Sequence, residues 1–213
     1  MKLIMIKCKE IYKMRFFKEY IVPILIAIVL YLVIESFVFT MVRVDGDSMQ
    51  PNLENNERVM VWRMAHIHHL SVIVFNAHGE DPQATAKKDY YVKRVIGMPG
   101  DTVSYRNGNI YVNGKAIKQE FIDHLQRNDG TGITGYQNNG KWNLKQLSAH
   151  WPKNHDSIKV PAGHYFVLGD HRSISNDSRY WGFVSKKKVL GVVKTLAWGT
   201  TNRNRYNVNA LSY

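Results

Sequence analysis

Residues 90–112 read YYVKRVIGMPGDTVSYRNGNIYV, three short apolar runs separated by Met98-Pro99-Gly100-Asp101 and by Asn107-Gly108. Runs of this length, rich in Val, Ile and Tyr and bounded by Pro, Gly and Asn, are strands rather than helices. Asn-Gly pairs readily take the left-handed angles of tight hairpin turns. A second pair, Asn113-Gly114, follows Asn109–Val112, so an antiparallel meander is expected near residues 102–118. Working outward, Arg58–Trp62, Ser71–Phe75 and His164–Leu168 show the same pattern and are also expected as strands, beside Tyr90–Ile96, Thr102–Tyr105 and Ile110–Val112. The outer part of the chain is therefore expected to be mainly β, with antiparallel sheet. Residues 118–157, rich in Asn, Gly, Gln, His and Lys, read as an insertion or small subdomain.

Upstream the character changes. Residues 20–42, YIVPILIAIVLYLVIESFVFTMV, are apolar enough and long enough to cross a hydrocarbon core of about 30 Å as a helix. Glu35 is the one ionisable group within it, and placing it near the outer interface softens the cost of the carboxylate. Lys2, Lys7, Lys9, Lys13, Arg15 and Lys18 precede the span. The positive-inside rule then keeps residues 1–19 in the cytoplasm and delivers residues 43–213 outside. A cleavable leader has a shorter apolar region and a small-residue cleavage site, whereas here the run ends in Thr40-Met41-Val42-Arg43. Retention as an anchor is expected.

The chain has 213 residues and a net charge of +12, which suits one anchored domain and an anionic partner such as membrane lipid. No nucleic-acid motif accompanies the charge, and nucleic acid is not expected as a partner. The single cysteine, Cys8, allows no intrachain disulfide. His66-Ile67-His68-His69 lacks an adjoining carboxylate or thiolate in sequence, so no metal or other cofactor is expected.

Three segments can carry chemistry. Gly46-Asp47-Ser48-Met49-Gln50-Pro51 reads as a turn exposing a hydroxyl. Tyr91-Val92-Lys93-Arg94-Val95-Ile96 places Lys93 on one strand face, with Val92 and Arg94 on the other. A lysine held in an apolar place loses stabilisation of its charged form and can become a neutral base; on a wet surface it merely snorkels. Gly169-Asp170-His171-Arg172-Ser173-Ile174-Ser175-Asn176-Asp177-Ser178-Arg179 crowds hydroxyls, acids and arginines into one loop.

Together and in this order, the three segments resemble the motifs of type I signal peptidases, Ser/Lys proteases that cut leader peptides from secreted preproteins. The likeness covers the anchor and most of the outer domain, and is weakest across residues 118–157. It implies Ser48 as nucleophile, Lys93 as general base, and Ser175 as the serine that helps orient that lysine. Asp177 and Arg179 fall on a charged pair that shapes the site, and Asp170 supports it within the Gly-Asp-Asn-Arg motif, which carries His171 here in place of Asn. The Ser48 N–H remains available as an oxyanion donor. Members with Ser two positions before the nucleophile use its hydroxyl as the second donor; this chain has Gly46, the pattern of shorter Gram-positive-type enzymes, and its second donor is open. The resemblance further implies a substrate extended along strands near Val44 and Val92, with small residues at the first and third positions before the cut. A monomer on the bacterial cytoplasmic membrane, acting on secreted preproteins with signal peptides, is the expected whole.

Ser48 lies six positions beyond Val42, so an extended chain keeps the nucleophile within about 20 Å of the span's end. Self-cleaving repressors share a Ser/Lys dyad, but they carry a DNA-binding domain, and residues 1–42 offer no helix-turn-helix.

Overall fold

The computed structural model describes residues 14–133 and 140–211, so Cys8 and the basic residues Lys2, Lys7, Lys9 and Lys13 lie outside the described residues. Two compact units divide the chain, Met1–Thr40 and Met41–Tyr213. In the first, one helix runs over Met14–Phe37 with none of its apolar window buried. At about 1.5 Å per residue its 24 residues extend about 36 Å, long enough to cross a membrane. A π-helical turn occupies Phe17–Ile21 and leads into the α-helical part, Val22–Phe37, where Pro23 has no N–H to donate to the preceding turn. The helix stops at Phe37, short of the expected Val42, because Phe39–Arg43 is a strand. Apolar content alone could not mark that change from helix to strand.

Eleven strands are described: β1 Phe39–Arg43, β2 Arg58–Trp62, β3 Val72–Asn76, β4 Tyr90–Gly97, β5 Val103–Arg106, β6 Asn109–Val112, β7 Lys115–Ala116, β8 Trp142–Asn143, β9 His164–Leu168, β10 Val184–Ser185 and β11 Val189–Thr195. They form a seven-stranded sheet in the order β1-β2-β11-β3-β4-β9-β10 and a four-stranded sheet in the order β7-β6-β5-β8. The pairings with a described register are antiparallel. The expected meander is β5-β6-β7, turning at Asn107-Gly108 (φ 50° and 77°) and Asn113-Gly114 (φ 50° and 78°). Asn and Gly tolerate these angles with little steric penalty, which fixes the register.

Alternation divides the larger sheet into two apolar faces. Ile73, Phe75, Val95, Val167 and Val184 share one core with Trp181, while Val59, Val61, Val72, Val74 and Val193 share another with Met49 and Leu53. Met49 and Leu53 are 1% and 0% exposed and so anchor the turn that carries Ser48. A third core joins the smaller sheet to β9 through Tyr105, Ile110, Phe166 and Leu168. Phe121, Ile122, Trp142, Leu147 and Trp151, all from residues 118–157, are buried in that same core.

Candidate active site

The sheet delivers Lys93 from the middle of β4, paired to Ile73 of β3. Tyr91 and Val95, two residues either way, belong to the core around Phe75 and Trp181, so Lys93 points into an apolar face and is 4% exposed. Its Nζ donates to Ser48 Oγ at 2.7 Å and stands 5.4 Å from the centroid of the Tyr91 ring. Burial lowers the Lys93 ammonium from 10.5 to about 8, with Asp177 opposing that shift and Arg179 adding to it. Loss of hydration destabilises the charged form more than the neighbouring carboxylates restore it.

Ser48 is half-buried on a turn held at both ends. Gly46 N–H donates to Asn55 Oδ1 at 3.1 Å and Gln50 N–H to Asp47 O at 3.1 Å. The loop after β9 then closes on this turn, with His171 N–H donating to Ser48 O at 3.0 Å. That bond comes from backbone, so a histidine at position 171 makes it as well as an asparagine would. Gly169 sits where these segments meet, and a Cβ there would collide with Ser175 Oγ and Ser48 O. Close approach of backbone to backbone thus explains the glycine.

Two buried ion pairs frame the loop. Asp177 takes Arg179 Nε at 2.8 Å and Nη2 at 3.0 Å, accepts Gly169 N–H at 3.1 Å, and caps the helix Ser178–Trp181. Burial alone would push the Asp177 carboxyl up, but the Arg179 guanidinium and these donors hold it below its ordinary value. Arg179 also donates to Gly130 O at 2.8 Å and Arg172 O at 2.6 Å. Asp170 accepts Arg94 Nε at 2.8 Å and Nη2 at 2.6 Å, and Asn52 Nδ2 at 2.8 Å. Since Arg94 lies on the β4 face opposite Lys93, this second pair braces the strand from behind. Arg94 Nη1 reaches the carbonyls of Leu70 and Asn207, both at 2.8 Å.

The structure brings Ser48 and Lys93 into contact and seats Ser175, Asp177, Arg179 and Asp170 around them. Ser175 is 3% exposed, and its hydroxyl helps hold the Asp177 carboxyl below its ordinary value. Val92 is half-buried opposite Val74, and Tyr90–Lys93 pair with β3 alone, because β9 joins β4 only from Arg94 onward. Among the described residues no strand is registered on the other edge of that stretch, the arrangement that strand addition uses. Val44 offers less than expected: its side chain is 3% exposed, its N–H donates to Glu57 O and its C=O accepts from Asn56 N–H. Sequence reading missed Asn52, Arg94 and Arg172. Arg172 is 1% exposed, donating to Gly169 O, Gln119 Oε1 and Thr131 Oγ1. Neither did it see that a carboxylate adjoins His69: Asp101 Oδ2 lies 2.7 Å from its Nε2.

Comparison with known proteins places these features in context. The profile described as "Signal peptidase, peptidase S26" matches residues 17–198. Signal peptidase IB of Staphylococcus aureus (strain MRSA252) is 35% identical over 196 residues, covering 90% of this chain and 94% of that protein. Signal peptidase I V of Bacillus subtilis (strain 168) is 32% identical over 173 residues, covering 79% and 91%. Among solved structures, a signal peptidase I from Enterococcus faecalis V583 is 33% identical and covers 60% of this chain and 97% of its own, with a TM-score of 0.46.

Proposed function

The chain belongs to the signal peptidase family, peptidase S26, and from that premise we propose that it is a membrane-bound serine endopeptidase removing signal peptides from secreted preproteins. The observation that carries the reading is the 2.7 Å contact between Ser48 Oγ and the nitrogen of a buried lysine whose pKa has fallen to about 8. A hydroxyl is a weak nucleophile until a base takes its proton, and a neutral amine at this distance can do so. Ser48 Oγ bonds to the scissile carbonyl carbon as its proton passes to Lys93 Nζ. The resulting ammonium gives that proton to the leaving amine as the C–N bond breaks, leaving an acyl-enzyme. Lys93, neutral again, deprotonates the water that hydrolyses the ester, and the proton returns to Ser48.

Ser175, buried beside Gly169, supplies the hydroxyl that orients Lys93 through the cycle. The Ser48 N–H is the first oxyanion donor. Gly46 N–H is engaged by Asn55 and is not the second; a missing donor typically lowers rate by about 10²–10³. The preprotein lies extended along the open edge at Tyr90–Lys93, with small residues at the first and third positions before the cut. The Met14–Phe37 helix is the anchor, with its N-terminal side in the cytoplasm and the β-rich unit outside. Enzyme and leader then meet in two dimensions, which raises their effective concentration.

The test is incubation of the purified full-length chain in detergent with a leader-bearing preprotein, followed by mass analysis. Release of the mature chain by a single cut after a small residue is expected. An intact preprotein would mean that the basic outer unit binds without hydrolysing, as a tether for wall polymer or lipid.

A further inference from the structure

The segment between β3 and β4, residues 77–89, lies along the lysine's face of the sheet and is fastened at several points. Lys188 Nζ donates to His78 O at 2.8 Å, Lys153 Nζ to Gly79 O at 2.6 Å, and Ser185 N–H to Glu80 Oε1 at 3.2 Å. Ala84 packs into the same core as Tyr91 and Trp181. Within this strap, Asp81 is a carboxylate only 2% exposed, and no ammonium or guanidinium pairs with it among the described residues. Its Oδ2 accepts the Tyr91 hydroxyl at 3.0 Å and Asn176 Nδ2 at 2.6 Å, while its Oδ1 accepts Gln83 N–H at 2.9 Å.

Both distant partners are neighbours of the dyad. The Tyr91 ring is the one Lys93 Nζ approaches, and Asn176 sits between Ser175 and Asp177. Burying a carboxylate without a cation is expensive unless it is well bonded and of use to a nearby positive charge. We infer that Asp81 is a positioning residue for the Lys93 base, fixing the Tyr91 ring and the Ser175–Asp177 segment around it. This inference rests on the Ser48/Lys93 reading.

Four charged groups act on Lys93, namely Asp177, Arg179, Asp170 and Asp81, in falling order, and the carboxylates all favour its protonated form. Tyr91 faces it with its ring, and burial and the bond to Asp81 push the Tyr91 hydroxyl up to about 12, so it stays a neutral donor. Removing the Asp81 charge therefore moves the Lys93 titration downward.

The experiment is the pH profile of preprotein cleavage by full-length wild type, Asp81→Asn, Tyr91→Phe and the control Asp89→Asn, with folding checked by a thermal melt. Asp81→Asn is expected to shift the acid limb down by about half a pH unit. Its plateau kcat should fall about tenfold with KM little changed, since the loss is one of alignment rather than of substrate contact. Tyr91→Phe keeps ring and carboxylate, so its limb stays in place while kcat falls about threefold. Asp89→Asn removes a charge of the same strap that acts on the Tyr91 hydroxyl through space rather than through a hydrogen bond, and should keep the wild-type limb and plateau. An Asp81→Asn limb and plateau equal to wild type would overturn the inference; should that variant fail to fold, a wild-type kcat in Tyr91→Phe would do so. A wild-type profile with no acid limb would instead overturn the dyad reading itself.

Discussion

Ser48→Ala is expected to lose cleavage of a leader-bearing preprotein by about 10⁴-fold or more, because nothing else in the site replaces the attacking oxygen. The fold should survive. Ser48 sits on a turn held by backbone bonds and by the buried Met49 and Leu53, and the substitution removes one oxygen and no core volume. Lys93→Arg is expected to be nearly as damaging, since a guanidinium stays protonated at any pH of interest and cannot accept the Ser48 proton. Rates are measured at equal concentrations of folded protein, confirmed by melting. Turnover by Ser48→Ala, or a Lys93→Arg rate within about tenfold of wild type, would remove these residues from the chemistry.

Lys93→Met is expected to be inactive and yet more stable than wild type at neutral pH, by about 3 kcal/mol, taking 1.36 kcal/mol for each unit between 10.5 and about 8. Methionine keeps an unbranched apolar chain in the same space and removes the titration. The sign follows from linkage. Below pH 8 both folded and unfolded states bind the lysine proton, so the folded state bears the full penalty of a buried ammonium. Between about 8 and 10.5 the unfolded chain binds more protons than the folded one, and wild-type stability rises with pH. Above 10.5 both states are neutral and the penalty is gone. The advantage of Lys93→Met should therefore be greatest at pH 7 and shrink toward pH 10. The lost bond to Ser48 trims its size but not its trend, and melts in detergent across that range measure it. An advantage independent of pH, or a variant less stable throughout, would mean that Lys93 keeps its charge in contact with water.

Much of the β architecture was legible because local chemistry dictated it. Arg58–Trp62 and His164–Leu168 are strands with the expected bounds, and the two Asn-Gly turns fix the meander. The strand at Val189–Thr195 was not foreseen, although it lies inside the larger sheet between β2 and β3. Its run follows three lysines and is interrupted by Gly191, and it pairs with residues more than a hundred positions earlier. No local pattern announces such pairing. The helix Asn202–Asn209 was equally hidden, being built of weak helix formers and started by a Thr201 cap.

The site divides along the same line. Alternation placed Lys93 opposite Arg94, but alternation cannot say which of two charged faces is buried; here both are, at 4% and 0% exposed. Arg94 is held by Asp170, 76 residues away, and Asp81 reaches Asn176 across 95. Such contacts are properties of the folded topology. The three motifs pointed to Ser48 and Lys93 and to Ser175, Asp177, Arg179 and Asp170 beside them, whereas the contacts of Asn52, Arg172 and Asp81 emerged only when the loops were closed.

The claim on which everything turns is that Lys93 works as a neutral base toward Ser48. Its most direct measure is the pH dependence of single-turnover cleavage, with purified full-length enzyme in excess over a leader-bearing preprotein from pH 6 to 10. The account predicts a rate that rises through one ionisation near pH 8, where burial sets the Lys93 ammonium, and then levels off. A rate that does not vary with pH, or that rises through a histidine-like value of about 6.5, would contradict it and assign the proton transfer to another group.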